Sequence, residues 1–342
     1  MTEHASLAGH NEPSPTEQAS ITFGIYPGSA TSGSSEIPQR PNDNLAQIDA
    51  ALTCLQGAAP HFIVRGYMQY VGNGNTVNKT PAAVELLVND RRRLDLVLCF
   101  RDPDSDIDAW CDFIRATVQQ YGPYLASLQI TEEPNNPRPE AGGDGSTPRV
   151  IEAIAAGIPA AKRAAREFGY QFEVGFNATP SFDMAGQFWT QIGQIATASF
   201  LEALDYVGFD FFPDVFRPLA PDGEPGDIRS SVTAVLNGYR NTSLRVGNIP
   251  AHIPIHVCEN GWPTGEHWSY ERQSAILDMI VRIIAEHRAA LNITQYIYFD
   301  LRDEDSANPD RFQHFGLMRD DYAPKPAFET YRRLVSEFGA MV

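Results

Sequence analysis

The sequence predicts a single-domain α/β protein in which eight parallel strands close into a (β/α)8 barrel. Three observations predict it. Short apolar runs alternate with longer amphipathic stretches eight times over. Connections from helix to strand are mostly brief, whereas those from strand to helix are long and rich in Gly, Pro, Asn and Asp, so the elaboration gathers on one face. A chain of 342 residues, 43% hydrophobic, suits one such barrel with inserted loops. The barrel is expected over residues 21–342, behind a polar, disordered tail over 1–20.

The strand candidates are ITFGIY (21–26), HFIVRGY (61–67), LDLVLCF (94–100), LASLQIT (125–131), FEVGFN (172–177), YVGFDFF (206–212), IPIHVCE (253–259) and QYIYFDL (295–301). Their β-branched and aromatic content and their length mark them as buried strands. Helices are expected at 42–56, 80–93, 107–121, 148–168, 189–204, 227–240, 269–291 and 324–338. Several open on Asp, Ser or Thr, or carry Pro in the first turn. The long strand-to-helix loops follow strands one, four, six and eight. The connection 242–252 is long on the opposite face, and periodicity offers no reason for it.

Composition removes several function classes. A formal net charge of −17 repels phosphate backbones, so no nucleic-acid partner is expected. The densest basic run, Arg91 to Arg93, reads as the C-terminus of the second helix. The N-terminus lacks a basic start followed by an apolar core, and no 18 consecutive residues are apolar, so a cytoplasmic protein without membrane contact is expected. Cys54, Cys99, Cys111 and Cys258 lack metal-type spacing and read as buried free thiols. His252 and His256 are separated by an apolar strand, so no metal is expected, nor any other cofactor. GNGN at Gly72 to Asn75 lacks the third glycine of a dinucleotide fingerprint. Arg302, Asp303, Glu304 and Asp305 stand where phosphate-binding barrels place glycines. No Gly-x-Ser-x-Gly elbow links a strand to a helix.

The chemistry gathers at two strand tips. The run IPIHVCENGWPTG ends its apolar stretch on Glu259, and ITEEPNN ends the fourth strand on Glu132 and Glu133 before Pro134 stops the pairing. Strands four and seven face each other across the mouth of an eight-stranded barrel, so both tips address one cavity. Cleavage of a glycosidic bond needs such a pair, one carboxyl to protonate the leaving oxygen and one to attack the anomeric carbon or activate water. A helix cap for Glu133 and a barrel salt bridge for Glu259 are the structural alternatives.

TEEPNN and HVCENGWPTG, their glutamates about 126 residues apart, resemble the acid/base and nucleophile motifs of the clan A glycoside hydrolases, a group of retaining (β/α)8 barrels. The tail YFDLRDEDSANPDRFQHFGLMRDDYAPKPAFETYRRL is similar to the end of several families in that clan. The resemblance implies that Glu133, before Pro134 and Asn135, is the acid/base and Glu259 the nucleophile. It implies that Arg65, in IVRGY, steadies the nucleophile by a charge-assisted hydrogen bond.

Two positions depart from that pattern. Glu132 stands where most of the clan has an asparagine that contacts the sugar 2-hydroxyl. Phe211 and Phe212 occupy the part of strand six from which the clan often offers a tyrosine to the nucleophile, leaving Asp210 or Tyr298 as substitutes.

A carbohydrate partner fits the expected rim. Tyr26, Tyr67, Tyr70, Trp189, Phe211, Phe212, Phe216, Trp262, Trp268 and Phe315 offer rings for sugar faces, Trp262 being three residues beyond Glu259. Asn135, Asn177, Arg302, Asp303 and His314 offer polar groups for hydroxyls. A carbohydrate-binding barrel without catalysis, and a transglycosidase, are the competing readings. The sugar, the linkage and the oligomeric state are not legible.

Overall fold

The computed structural model describes residues 20–28, 43–180, 186–216, 227–266 and 268–339. The expected N-terminal tail lies, except for Ser20, outside the described residues.

Nine strands form one sheet: β1 (Thr22–Ile25), β2 (Phe62–Tyr70), β3 (Thr76–Thr80), β4 (Arg92–Phe100), β5 (Leu125–Ile130), β6 (Glu173–Ala178), β7 (Tyr206–Asp210), β8 (Ile255–Asn260) and β9 (Ile293–Tyr298). Eight pair in parallel, and β1 bonds both β9 and β2, so these eight close into a barrel. Among the described residues the ninth strand, β3, is antiparallel, folded back on β2. The eight predicted strands are the eight barrel strands, the predicted fourth being β5 and the predicted seventh β8.

Helices α1 (Leu45–Gln56), α2 (Ile107–Tyr121), α3 (Val150–Phe168), α4 (Gln187–Ile195), α5 (Ala198–Ala203), α6 (Ile228–Gly238), α7 (Leu244–Val246), α8 (Tyr270–Leu291) and α9 (Pro326–Phe338) occupy the connections. Side-chain caps start many of them: Asn44, Asp106, Thr197, Asp227 and Ser269 each accept a first-turn amide. Among the described residues no helix is long and apolar enough to cross a membrane.

The expected helix 80–93 does not form. Strand β3 takes up Thr80, and Val84–Leu87 make one 3-10 turn that buries only Val84 and Leu87. A tight Asn89–Arg92 bridge, with the Asn89 side chain accepting the Arg91 amide at 3.0 Å, then turns the chain into β4. The basic run therefore opens a strand. Arg92 is buried and reaches Asp49 (2.7 Å), Thr53 (3.0 Å) and the Leu87 carbonyl (3.2 Å), which replaces the helix terminus expected for it.

Two further expectations are refined. The helix 189–204 divides into α4 and α5, because Thr197 adopts extended backbone and caps a new start. The unexplained connection 242–252 begins as helix: α6 widens into a π turn at Tyr239–Ser243 and continues as α7. Arg240, buried by that turn, donates to the carbonyls of Leu291 (2.9 Å) and Ile253 (3.0 Å), tying the end of α8 to the approach of β8. All four cysteines are free, Cys99 and Cys258 buried; Cys54 is exposed on the outer face of α1 and Cys111 half-buried, against expectation.

Two cores result. Between sheet and helices lies an apolar shell that includes Leu94, Leu96, Ile130, Val174, Phe176, Ile154 and Ile158. Inside the barrel the column is polar: Arg65, Asp95, Ser127, Gln129, Asn177, His256 and Gln295 are all buried. Gly175 and Gly208 make room in it, since a Cβ on either would press within 2.8 Å of Tyr206 or of Asn177 and Cys258.

Replacing Arg92 with Met should lower the free energy of unfolding by ~1–3 kcal/mol, since buried acceptors lose their donor. Urea denaturation followed by circular dichroism checks this. Unchanged stability would show that Arg92 does not hold the base of the barrel.

Candidate active site

Glu132 and Glu133 stand where β5 ends and the chain turns sharply. Thr131 (φ 69°) and Glu133 (φ 38°) adopt left-handed backbone that non-glycine residues avoid, so surrounding bonds must impose it. The Glu133 amide donates to Asn177 Oδ1 at 2.7 Å, and the Glu132 amide to Asp144 Oδ2 at 2.8 Å. Asp144 also accepts from the Phe100 amide (2.6 Å) and Arg101 (2.7 Å), which ties the loop after β5 to the tip of β4. Glycines let that loop close. A Cβ at Gly143 would lie 2.2 Å from the Asn136 carbonyl oxygen, and Asn136 Nδ2 in turn donates to Glu133 Oε2 at 2.6 Å.

Glu259 reaches the same cavity through an irregularity in β8. Phe209 is opposite Val257, but Asp210 is opposite Glu259, so one residue, Cys258, is extra. Strict alternation would send Cys258 and Glu259 to opposite faces; the bulge re-aims Glu259 into the mouth beside Asp210.

Arg65 joins the two tips. It is fully buried and donates to Asp95, to Gln129 (3.0 Å) and to Tyr67 OH (2.7 Å). Its Nη2 lies 3.5 Å from Glu132 Oε2 and 3.7 Å from Glu259 Oε1. Tyr67 OH donates to Glu259 Oε1. The partner for Glu259 sought in Asp210 or Tyr298 is thus Tyr67 of β2. Tyr298 instead donates to the Phe315 carbonyl at 3.1 Å, and Asp210 accepts from Asn177, so neither substitutes. A signal was present: Tyr67 is two residues beyond Arg65 and shares its face of the strand.

Carboxyl oxygens of Glu132, Glu133, Asp210 and Glu259 all lie within 4.8 Å of one another. Burial, with the charge of Glu259 next, pushes Glu133 up to about 8. The same two causes push Glu132 and Asp210 well above the carboxylate range. Burial also raises Glu259, but Arg65 and the Tyr67 hydrogen bond oppose it. One carboxyl is thereby held as an acid while its neighbour is offered a cation and a phenol. In number and spacing the four could hold a metal ion.

The expected sugar-binding residues divide. Asn177 is central: its Nδ2 donates to Asp210 and to Glu132 (3.2 Å). Asn135 is committed at both ends to the backbone of Thr179, at 2.9 and 3.0 Å. Trp262 is buried beneath half-buried Trp268, the rings 4.1 Å apart. Arg302 is buried against Asp43 (2.9 Å) and Tyr322, and His314 bonds the Asn308 carbonyl at 2.6 Å. Asp303 pairs with buried Lys325.

Of the rim aromatics, Tyr70, Trp189 and Phe211 belong to the apolar shell. Tyr26 packs edge-on against Tyr67 and stacks on Phe299, which meets Phe212 and Phe315. Phe299 escaped notice because it closes an apolar strand run. Asp95 and Asp144 escaped because nothing local distinguishes a buried aspartate that orients a neighbour.

No protein-family model and no curated protein matches the sequence. Solved structures do match in fold. GH5_18 from Bifidobacterium longum subsp. longum is similar with a TM-score of 0.62 and 15% identity over 94% of this chain and 80% of that one. A family 39 glycoside hydrolase from Bacteroides cellulosilyticus WH2 is similar at 0.60 and 14%, over 95% of this chain and 65% of that one. The fold is one that glycoside hydrolases share. A β-glucosidase from Thermotoga maritima is similar at 0.58 and 11%, over 85% and 86%. The chain spans only 34% of a Bacteroides uniformis β-glucuronidase, whose TM-score is 0.56 at 14% identity over 92% of this chain.

Glu133 gives a pH prediction. Its folded value of about 8 exceeds the ordinary 4.5, so between these the folded chain keeps a proton that the unfolded chain has lost. Its contribution to stability is therefore full below the ordinary value and is lost as pH rises through about 8. Glu133→Gln should remove this loss, and its melting temperature should gain on the native chain's across that window. Parallel curves would mean that Glu133 titrates normally.

Proposed function

We propose that this chain is a retaining glycoside hydrolase, with Glu259 as nucleophile and Glu133 as acid/base. The observation that carries the proposal is the approach of two carboxyls at the ends of β5 and β8, an oxygen of one within 4.8 Å of an oxygen of the other, one carboxyl pushed up by burial and the other facing Arg65 and Tyr67. Oxygens in such approach suit retention, which uses carboxyl groups ~5–5.5 Å apart, better than inversion, which needs ~6.5–9.5 Å to admit a water. The shared fold of the glycosidase structures is in keeping with it.

In the first step Glu259 attacks the anomeric carbon while Glu133 gives its proton to the departing oxygen. The attack breaks the glycosidic bond and forms a glycosyl ester on Glu259. In the second, Glu133, now a carboxylate, takes a proton from water, and the water oxygen displaces Glu259 from the sugar. Glu133 ends protonated and Glu259 ionised, so the cycle closes. Arg65 and Tyr67 hold the attacking oxygens and receive the negative charge when the ester breaks. Half-buried Phe212, held edge-on by Phe299 and Phe315, offers an apolar face to a ring.

Incubation with 2-deoxy-2-fluoro glycosides carrying good leaving groups should add one sugar to the intact mass, and peptide mapping should place it on Glu259. A sugar on another carboxylate would overturn the assignment. With any substrate so found, Tyr67→Phe should lower kcat ~10- to 100-fold, the cost of one hydrogen bond to a charged group. An unaffected rate would remove Tyr67 from the mechanism.

A further inference from the structure

Retention employs Glu259 and Glu133 and leaves two buried carboxyls without a task. Glu132 and Asp210 are 5% and 1% exposed and straddle one amide, Asn177 Nδ2. Asp210 Oδ1 is buried and has no hydrogen-bond partner. One oxygen of Asp210 and one of Glu132 lie within 4.8 Å of an oxygen of Glu259. The cation beside them among the described residues, Arg65, already spends Nη1 on Asp95. The cavity thus offers buried acceptors that protein groups do not match.

The position of these acceptors selects the part of the sugar they meet. A carboxyl beside the nucleophile, on the side away from the departing glycosidic oxygen, faces the ring atoms bonded to the anomeric carbon, namely the ring oxygen and C2. Only C2 bears a substituent. Resting on the glycosidase reading, we propose that the substrate is a glycoside of a 2-amino-2-deoxy sugar, its protonated C2 amine held between Glu132 and Asp210. An ammonium brings three N–H donors and one positive charge, which suits the free Asp210 Oδ1 and the flank of Glu132.

A divalent metal suits the cavity less well. Glu132 Oε2 already accepts N–H groups from Gln129 (2.6 Å), Asn177 (3.2 Å) and Arg65 (3.5 Å), and these donors and the guanidinium would crowd a bare dication that seeks six to eight oxygens. Burial and the charge of Glu259 favour the protonated forms of Glu132 and Asp210. The ammonium takes the place of those protons on binding.

The test compares kcat/KM of the full chain on 4-nitrophenyl 2-amino-2-deoxy-β-D-gluco-, galacto- and mannopyranosides with the 2-hydroxy and 2-acetamido counterparts. One amino glycoside should exceed both counterparts by about tenfold or more, the lower end for a close buried charge pair. That ratio should collapse in Glu132→Gln and in Asp210→Asn, the second variant guarding against misfolding of the first. Equal or faster cleavage of a hydroxy or acetamido glycoside overturns the inference and leaves the glycosidase reading standing. Should nothing be cleaved and no fluoroglycoside label Glu259, the glycosidase reading fails. Binding then decides separately: melting raised by glucosamine but not by glucose supports the ammonium site, whereas a rise with calcium chloride alone, or with neither, overturns it.

Discussion

The buried guanidinium of Arg65 is the interaction on which the rest depends. A barrel interior of low polarity would keep every mouth carboxyl protonated and inert. One fixed cation changes this, because it touches the third strand through Asp95, the fourth through Gln129 and Glu132, and the seventh through Glu259. The planar fork matters. A lysine could place one charge there but could not direct separate N–H groups to Asp95, Gln129 and Tyr67 at once. Desolvating a guanidinium is costly, so the column beneath the mouth consists of acceptors.

That cost is carried by a division of labour between the two cores. The apolar shell under the helices provides the burial that folds the chain, and it holds the strands in register. The polar column then spends part of that stability on orienting charges. Backbone strain at Thr131 and Glu133 and the bulge at Cys258 fall at the junction between them, where strands stop and the loops begin. The loop after β5 acts as a brace: Asp144 reaches back to the Glu132 amide, and the loop glycines permit the approach.

Much of this was legible in the sequence and some was not, for physical reasons. The eight strands could be read because buried parallel strands are continuous apolar runs, and Glu133 and Glu259 could be read because each interrupts such a run at its end. The helix over 80–93 misled because a few apolar residues at helical spacing can also serve a 3-10 turn whose neighbours pair with β2. Arg92 was assigned to a helix terminus for want of knowing that Asp49 waits across the space. Tyr67 stood among ten rim aromatics, and only its bond to Glu259 distinguishes it. Arg302 and His314 were chosen for chemistry and Trp262 for its place three residues beyond Glu259, and the fold packs all three against neighbouring loops.

The central claim is electrostatic: in one buried cavity, Glu133 keeps its proton through neutral pH while Arg65 and Tyr67 draw Glu259 toward the ionised form. Carbon-13 titration of glutamate side-chain carboxyls, in the native chain and in Glu133→Gln, tests it most directly. The account predicts a carboxyl that titrates near 8 in the native chain and is missing from the variant. A native spectrum without a glutamate carboxyl near 8 that the substitution removes would contradict it.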